Sequence, residues 1–139
     1  MPRQKKSVCP VCFVGHLERK TKKVTNTYKG RTITCLQPGE WCNHCGEGIL
    51  TGDDALATQK RLLEWRASIE KQESLAIARI RRRLGITQAE AARIAGGGKN
   101  AFSRYEKGHA QPVMAVSVLF QLLDRHPELV AEAREIAGG

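Results

Sequence analysis

Cys9-Pro-Val-Cys12 and Cys42-Asn-His-Cys45 are two C-x2-C pairs separated by 29 residues. Two intervening residues let one tight turn aim two thiolates at a single ion, and a second such turn completes a tetrahedron. The expected chemistry is one structural Zn2+ held by Cys9, Cys12, Cys42 and Cys45. Four thiolates fill the coordination sphere, so no position is left for a reactive water. A redox dithiol fits poorly, because neither pair sits in a βα pattern. His44 lies inside the second pair and His16 beyond the first, so either could replace a cysteine. Cys35 has no partner at ligand spacing and reads as a plain buried or half-exposed thiol.

A second constellation lies downstream. Leu84 to Ala95 is followed by Gly96-Gly97-Gly98 and then by Lys99-Asn-Ala-Phe-Ser-Arg-Tyr-Glu-Lys-Gly108. Two short helices joined by a glycine turn are the elements of a DNA-reading helix-turn-helix. Thr87-Gln-Ala-Glu90 is a capping box that starts the first of them. At 100° per residue, Asn100, Ser103, Arg104 and Lys107 share one face of the second helix, expected over Lys99–Lys107, while Phe102 and Tyr105 share the opposite one. Asn can bond an adenine edge and Arg a guanine edge bidentately. Asn100, Arg104, Ser103, Lys99 and Lys107 are therefore candidate DNA-binding residues. Thr87 and Gln88 are placed to meet a phosphate. The run Arg79, Arg81, Arg82, Arg83 reads either as a solvated face or as further phosphate contacts.

The elements that must position these groups divide the 139-residue chain in two. All five cysteines fall in the first 45 residues, as expected of a small domain that needs a staple. Leu17 to Tyr28 and Arg31 to Leu36 are rich in Thr, Val and Ile, and Lys29-Gly30 between them reads as a hairpin turn. Pro38-Gly39 suggests a second turn. Asp53-Asp54 open a helix expected to reach Ile69, with a joint over residues 70–74. The rest reads as helices: Leu75–Leu84, the two of the helix-turn-helix, Val113–Leu123, and Pro127–Ala137. The predicted fold class is α+β, a small β-hairpin-based zinc domain (1–70) followed by an all-α helix-turn-helix domain (71–139). Val113–Leu123 is apolar nearly all round, which suits burial against a second chain or a filled core.

The formal charge is +9, with residues 1–70 contributing +5 and residues 71–139 contributing +4. Polyanions are natural partners for either half. No apolar run approaches the length of a membrane span, and residues 1–8 read as a loose basic leader without a signal core. A cytoplasmic location is expected, and a reducing compartment disfavours disulfides. No catalytic set can be assembled, so an enzyme is not expected.

The motif Gly96-Gly-Gly-Lys-Asn-Ala-Phe-Ser-Arg-Tyr-Glu-Lys-Gly108 with Gln111-Pro112, together with the two cysteine pairs, resembles the MqsA-type antitoxins of bacterial toxin–antitoxin systems. The likeness runs from Cys9 to about Leu129. It implies a zinc domain that sequesters a ribonuclease toxin, and a helix-turn-helix domain of Xre/Cro type that forms a homodimer and represses its own operon at a palindromic operator. It also implies Cys9, Cys12, Cys42 and Cys45 as zinc ligands, with Asn100 and Arg104 as base-reading residues. The leader before Cys9 is longer than that family's usual start, and the N-terminal half is strongly positive. From the residues alone, a zinc-containing helix-turn-helix regulator without a toxin is the alternative.

Overall fold

The computed structural model describes residues 6–138. Its elements are β1 (Leu17–Tyr28), β2 (Arg31–Cys42), β3 (Gly48–Ile49), α1 (Gly52–Arg83), α2 (Gln88–Ala95), α3 (Ala101–Glu106) and α4 (Met114–Arg125). A 3-10 turn at Pro127–Leu129 then leads into α5 (Val130–Ile136). An antiparallel sheet followed by helices is the α+β class expected. The chain forms two compact units, one up to Arg66 and the other from Ala67.

In the first unit, β1 and β2 make one long hairpin that pairs Leu17 with Cys42 at one end and Tyr28 with Arg31 at the other. Lys29 and Gly30 both have positive φ, 49° and 76°, the geometry of a two-residue turn that matches strand twist. The turn expected at Pro38-Gly39 is not there. Both residues lie inside β2, opposite Thr21 and Lys20. Ladder bonds alternate along an antiparallel pair. Counted from the Tyr28–Arg31 turn, the backbone of Pro38 faces away from β1, so its missing N–H removes no ladder bond. β3 pairs with β2 only at Glu40 and Trp41.

The start of α1 packs on the hairpin through polar groups. Thr51 and Asp54 cap the helix reciprocally: the Thr51 N–H donates to Asp54 Oδ2 at 2.9 Å, and the Asp54 N–H to Thr51 Oγ1 at 3.2 Å. Buried Gln37 donates to the Asp54 carbonyl at 2.7 Å and accepts from Thr58 Oγ1 at 2.7 Å. Asp54 is also bound by the Arg19 guanidinium on both carboxylate oxygens. Tyr28 and Trp65 meet edge to face at 6.4 Å. Residues 1–5 of the expected loose leader lie outside the described residues. Its described end is tied down: Leu17 N–H donates to the Ser7 carbonyl, and Lys6 pairs with Glu18.

α1 is continuous through residues 70–74, where a joint was expected. Glu-Lys-Gln-Glu-Ser contains neither Gly nor Pro, and most of these residues are good helix formers. In the second unit, Ile77, Ile80, Ile86, Ala91, Phe102, Val116, Phe120, Leu123 and Val130 lie in one core. Phe102 is its centre, wholly buried, with its ring 4.9 Å from Phe120 and 5.3 Å from Tyr105.

Candidate zinc centre and nucleic-acid interface

The two cysteine pairs converge. The Sγ atoms of Cys9, Cys12, Cys42 and Cys45 all lie within 4.8 Å of one another, while His16, His44 and Cys35 stand outside the group. Cys9 and Cys45 are 3.7 Å apart, as are Cys12 and Cys42. A tetrahedron with Zn–S bonds of about 2.3 Å requires sulfurs about 3.8 Å apart, so the cage fits zinc. Backbone amides of Val11, Gly15, His44 and Cys45 point at the sulfurs of Cys9, Cys12 and Cys42 at 3.3–3.4 Å, stabilising thiolates. Cys35 is a buried free thiol.

The ionisation of the set is divided between its members. Cys12 falls to about 6, held there by the amides of Gly15 and then Val14. At Cys42 burial opposes ionisation, but the amides of Cys45 and His44 outweigh it. Cys45 is pushed up to about 12: the Glu47 amide pulls it down, but burial and the sulfurs of Cys42, Cys12 and Cys9 prevail. Four sulfurs in this space repel one another as thiolates, and a divalent cation is what makes full ionisation compatible. The donor set is that of one structural zinc.

In the second unit, α2 and α3 flank Gly96, Gly97 and Gly98, whose φ angles are 82°, 94° and 86°. Three successive left-handed residues explain why this turn is all glycine. The capping box at α2 forms as expected: Glu90 N–H donates to Thr87 Oγ1 at 3.1 Å, and Thr87 N–H to Glu90 Oε2 at 3.3 Å. α3 is shorter than expected, Ala101–Glu106, with Asn100 at its N-cap and Lys107 at its C-cap. Asn100 is exposed and makes no side-chain cap bond. Lys99, Asn100, Arg104 and Lys107 are exposed, and Ser103 is half-buried. The Arg104 N–H donates to the Asn100 carbonyl at 3.1 Å, which sets these two residues one turn apart.

The expected phosphate contacts divide. Thr87 is exposed, but half-buried Gln88 donates its amide to Glu106. Of the arginine run, Arg79 and Arg82 are exposed and Arg83 pairs with Asp124 at 3.1 Å. Arg81 turns inward onto Glu106, 2.6 Å from Nε to Oε1. The sequence carried a signal for this: Ile77, Ile80, Arg81 and Leu84 share a helical face.

The fold and site define a chain with a four-cysteine zinc centre in its first unit and a helix-turn-helix in its second. The chain matches the family model for the antitoxin component of bacterial toxin–antitoxin systems, MqsA, over residues 7–134. It is 42% identical over 130 residues to Antitoxin MqsA of Escherichia coli (strain K12), covering 91% of this chain and 98% of that one. A solved structure, the N-terminal domain of the E. coli protein MqsA, matches at 30% identity with a TM-score of 0.43, over 45% of this chain and 96% of that one. The chain belongs to the MqsA antitoxin family.

Proposed function

We propose that this antitoxin neutralises a ribonuclease toxin through its zinc unit. In this reading it also represses its own operon by binding a palindromic operator as a homodimer. The observation that carries the DNA-reading half is the placement of Asn100 and Arg104, outward and one turn apart on a helix whose opposite side is anchored by Phe102. An Asn and an Arg so placed suit neighbouring base pairs in a major groove. Lys99, Ser103 and Lys107, neighbours of these two in sequence, and Thr87 at the N-cap of α2 suit the phosphate backbone. Gln88 donates one amide hydrogen to Glu106, and in this reading offers the other to phosphate.

Homodimerisation is supported by α4. Val116, Phe120 and Leu123 face the core, while Met114, Val118 and Leu122 remain 45–65% exposed at four-residue spacing. Such a stripe suits burial against the same stripe of a second chain. Toxin binding is supported by the family and by β1, which forms one edge of the three-stranded sheet over 12 residues. An open edge suits strand addition by a partner. No helix among the described residues is long and apolar enough to cross a membrane. The cytoplasm is the compartment this reading assigns to the chain.

The test is co-purification of the tagged full chain from its own host. The reading expects a small ribonuclease at a fixed ratio, released when the zinc unit is disrupted. Recovery of the chain alone would leave a regulator without a toxin. Capture through residues 67–139 would misplace the toxin site.

A further inference from the structure

Three helices meet at one buried charge. The Glu106 carboxylate at the end of α3 accepts from Arg81 Nε at 2.6 Å and Nη2 at 3.5 Å, and from the Gln88 amide at the start of α2. Arg81, in the last turn of α1, also donates Nη1 to the Ile86 carbonyl at 3.0 Å. The side chains are only 13% and 8% exposed. A planar guanidinium forked onto a carboxylate fixes direction as well as distance, which an ammonium or an apolar contact does not. One fork therefore registers α3 against both the end of α1 and the start of α2.

We infer that Arg81 and Glu106 are positioning residues for sequence recognition. They set the pose of α3, and with it the reach of Asn100 and Arg104, without touching DNA themselves. The inference rests on the proposal that α3 reads DNA. Two further observations support it. α3 has only six residues and no side-chain cap bond at Asn100, so its own ladder holds it weakly. The glycine turn before it has no side chains to brace it. The ion pair lies at the opposite end of α3 from that turn and supplies the constraint the turn lacks.

Removing one partner of a buried pair strands a charge, whereas replacing both with apolar groups is often neutral for folding. The decisive variant is therefore the double one, Arg81→Met with Glu106→Leu, with Arg81→Lys as companion because it keeps the charge and loses the fork. Each full-length, zinc-loaded protein is used to select from a library of randomised duplexes. Its affinity is then measured for the sequence that the wild type selects and for a scrambled duplex, across a salt series, beside its thermal midpoint.

The expected result is a double variant that melts near the wild type and binds scrambled DNA equally well with the same salt slope. Its preference for the selected sequence should fall about tenfold or more, and Arg81→Lys should fall between. Unchanged preference in a folded variant overturns the inference. So does a parallel loss on both duplexes with a salt slope lower by about one per subunit, which marks Arg81 as a phosphate contact. If the double variant unfolds, Arg81→Lys decides by the same readouts. If the wild type selects no sequence at all, the DNA-reading proposal itself fails, and this inference fails with it.

Discussion

Gly15 packs directly on the zinc cage beside Cys42. A Cβ added at residue 15 would collide with Cys42 Sγ and lie 2.6 Å from His44 Cβ. The first cysteine turn can therefore close on the second only with glycine at this position.

Gly15→Ala should consequently force the two turns apart and weaken the site. Zinc per chain after dialysis against a moderate chelator should drop well below that of the wild type. Gly46→Ala serves as a control, since nothing lies within 4 Å of a Cβ there, although its φ of 77° adds some strain. Equal zinc retention in the wild type and Gly15→Ala would contradict the packing described.

Complete zinc removal should unfold the first unit and spare the second. A domain this small draws much of its folding free energy from the ion, whereas residues 67–139 have their own apolar core. Both tryptophans, Trp41 and Trp65, lie in the first unit, so their fluorescence reports it alone. A strong chelator should shift that fluorescence to its unfolded value and leave DNA affinity nearly unchanged. Loss of both signals together would merge the two units into one.

Acid should weaken the first unit through Asp54 as well as through zinc. The Arg19 guanidinium, then the Thr51 amide, hold this carboxyl well below the usual range. In the unfolded chain it returns to about 3.9, so the folded state binds fewer protons near that pH. Its contribution is whole above the unfolded value and is lost as pH falls below it toward the depressed one. Asp54→Asn should melt lower than the wild type at pH 6, with the gap narrowing as pH falls from about 5 toward about 3, compared only at pH values where both chains still hold one zinc. A gap of constant size across that range would contradict the assignment.

Phe102→Ala should destabilise the second unit by about 3–5 kcal/mol, the usual cost of emptying an aromatic site in a packed core. Phe102 is wholly buried against Phe120 and Tyr105, with no solvent to fill the gap. Urea unfolding followed by helix ellipticity measures it. A loss below about 1 kcal/mol would mean that the core collapses around the space.

What was legible in the sequence was whatever local chemistry dictates. The cysteine spacing, the Lys29-Gly30 turn, the Thr87–Glu90 box and the triple glycine each specify a backbone geometry by themselves. Thr51-x-x-Asp54 is a capping signal of the same kind, and it marks the start of α1 more sharply than the acidic pair it contains. Pro38 carries a turn signal in the sequence but sits where its strand edge is open, and edges are set by tertiary pairing. Arg81 is indistinct from its neighbours by residue type, since a charge run hides which member falls on the apolar face. The apparent joint at residues 70–74 came from polarity, which marks exposure rather than the end of a helix.

The most direct test of the account concerns Arg104. Affinity is measured for the DNA upstream of the chain's own coding sequence and for a scrambled duplex, at one fixed salt concentration, with wild type and Arg104→Ala. Losing a bidentate base contact costs about 1–3 kcal/mol, so a symmetric dimer should lose about 2–6 kcal/mol on the specific duplex if its half-sites act additively. Binding to scrambled DNA rests on phosphate contacts and should fall far less. A loss by the same factor on both duplexes would make Arg104 a phosphate clamp and contradict base readout by α3.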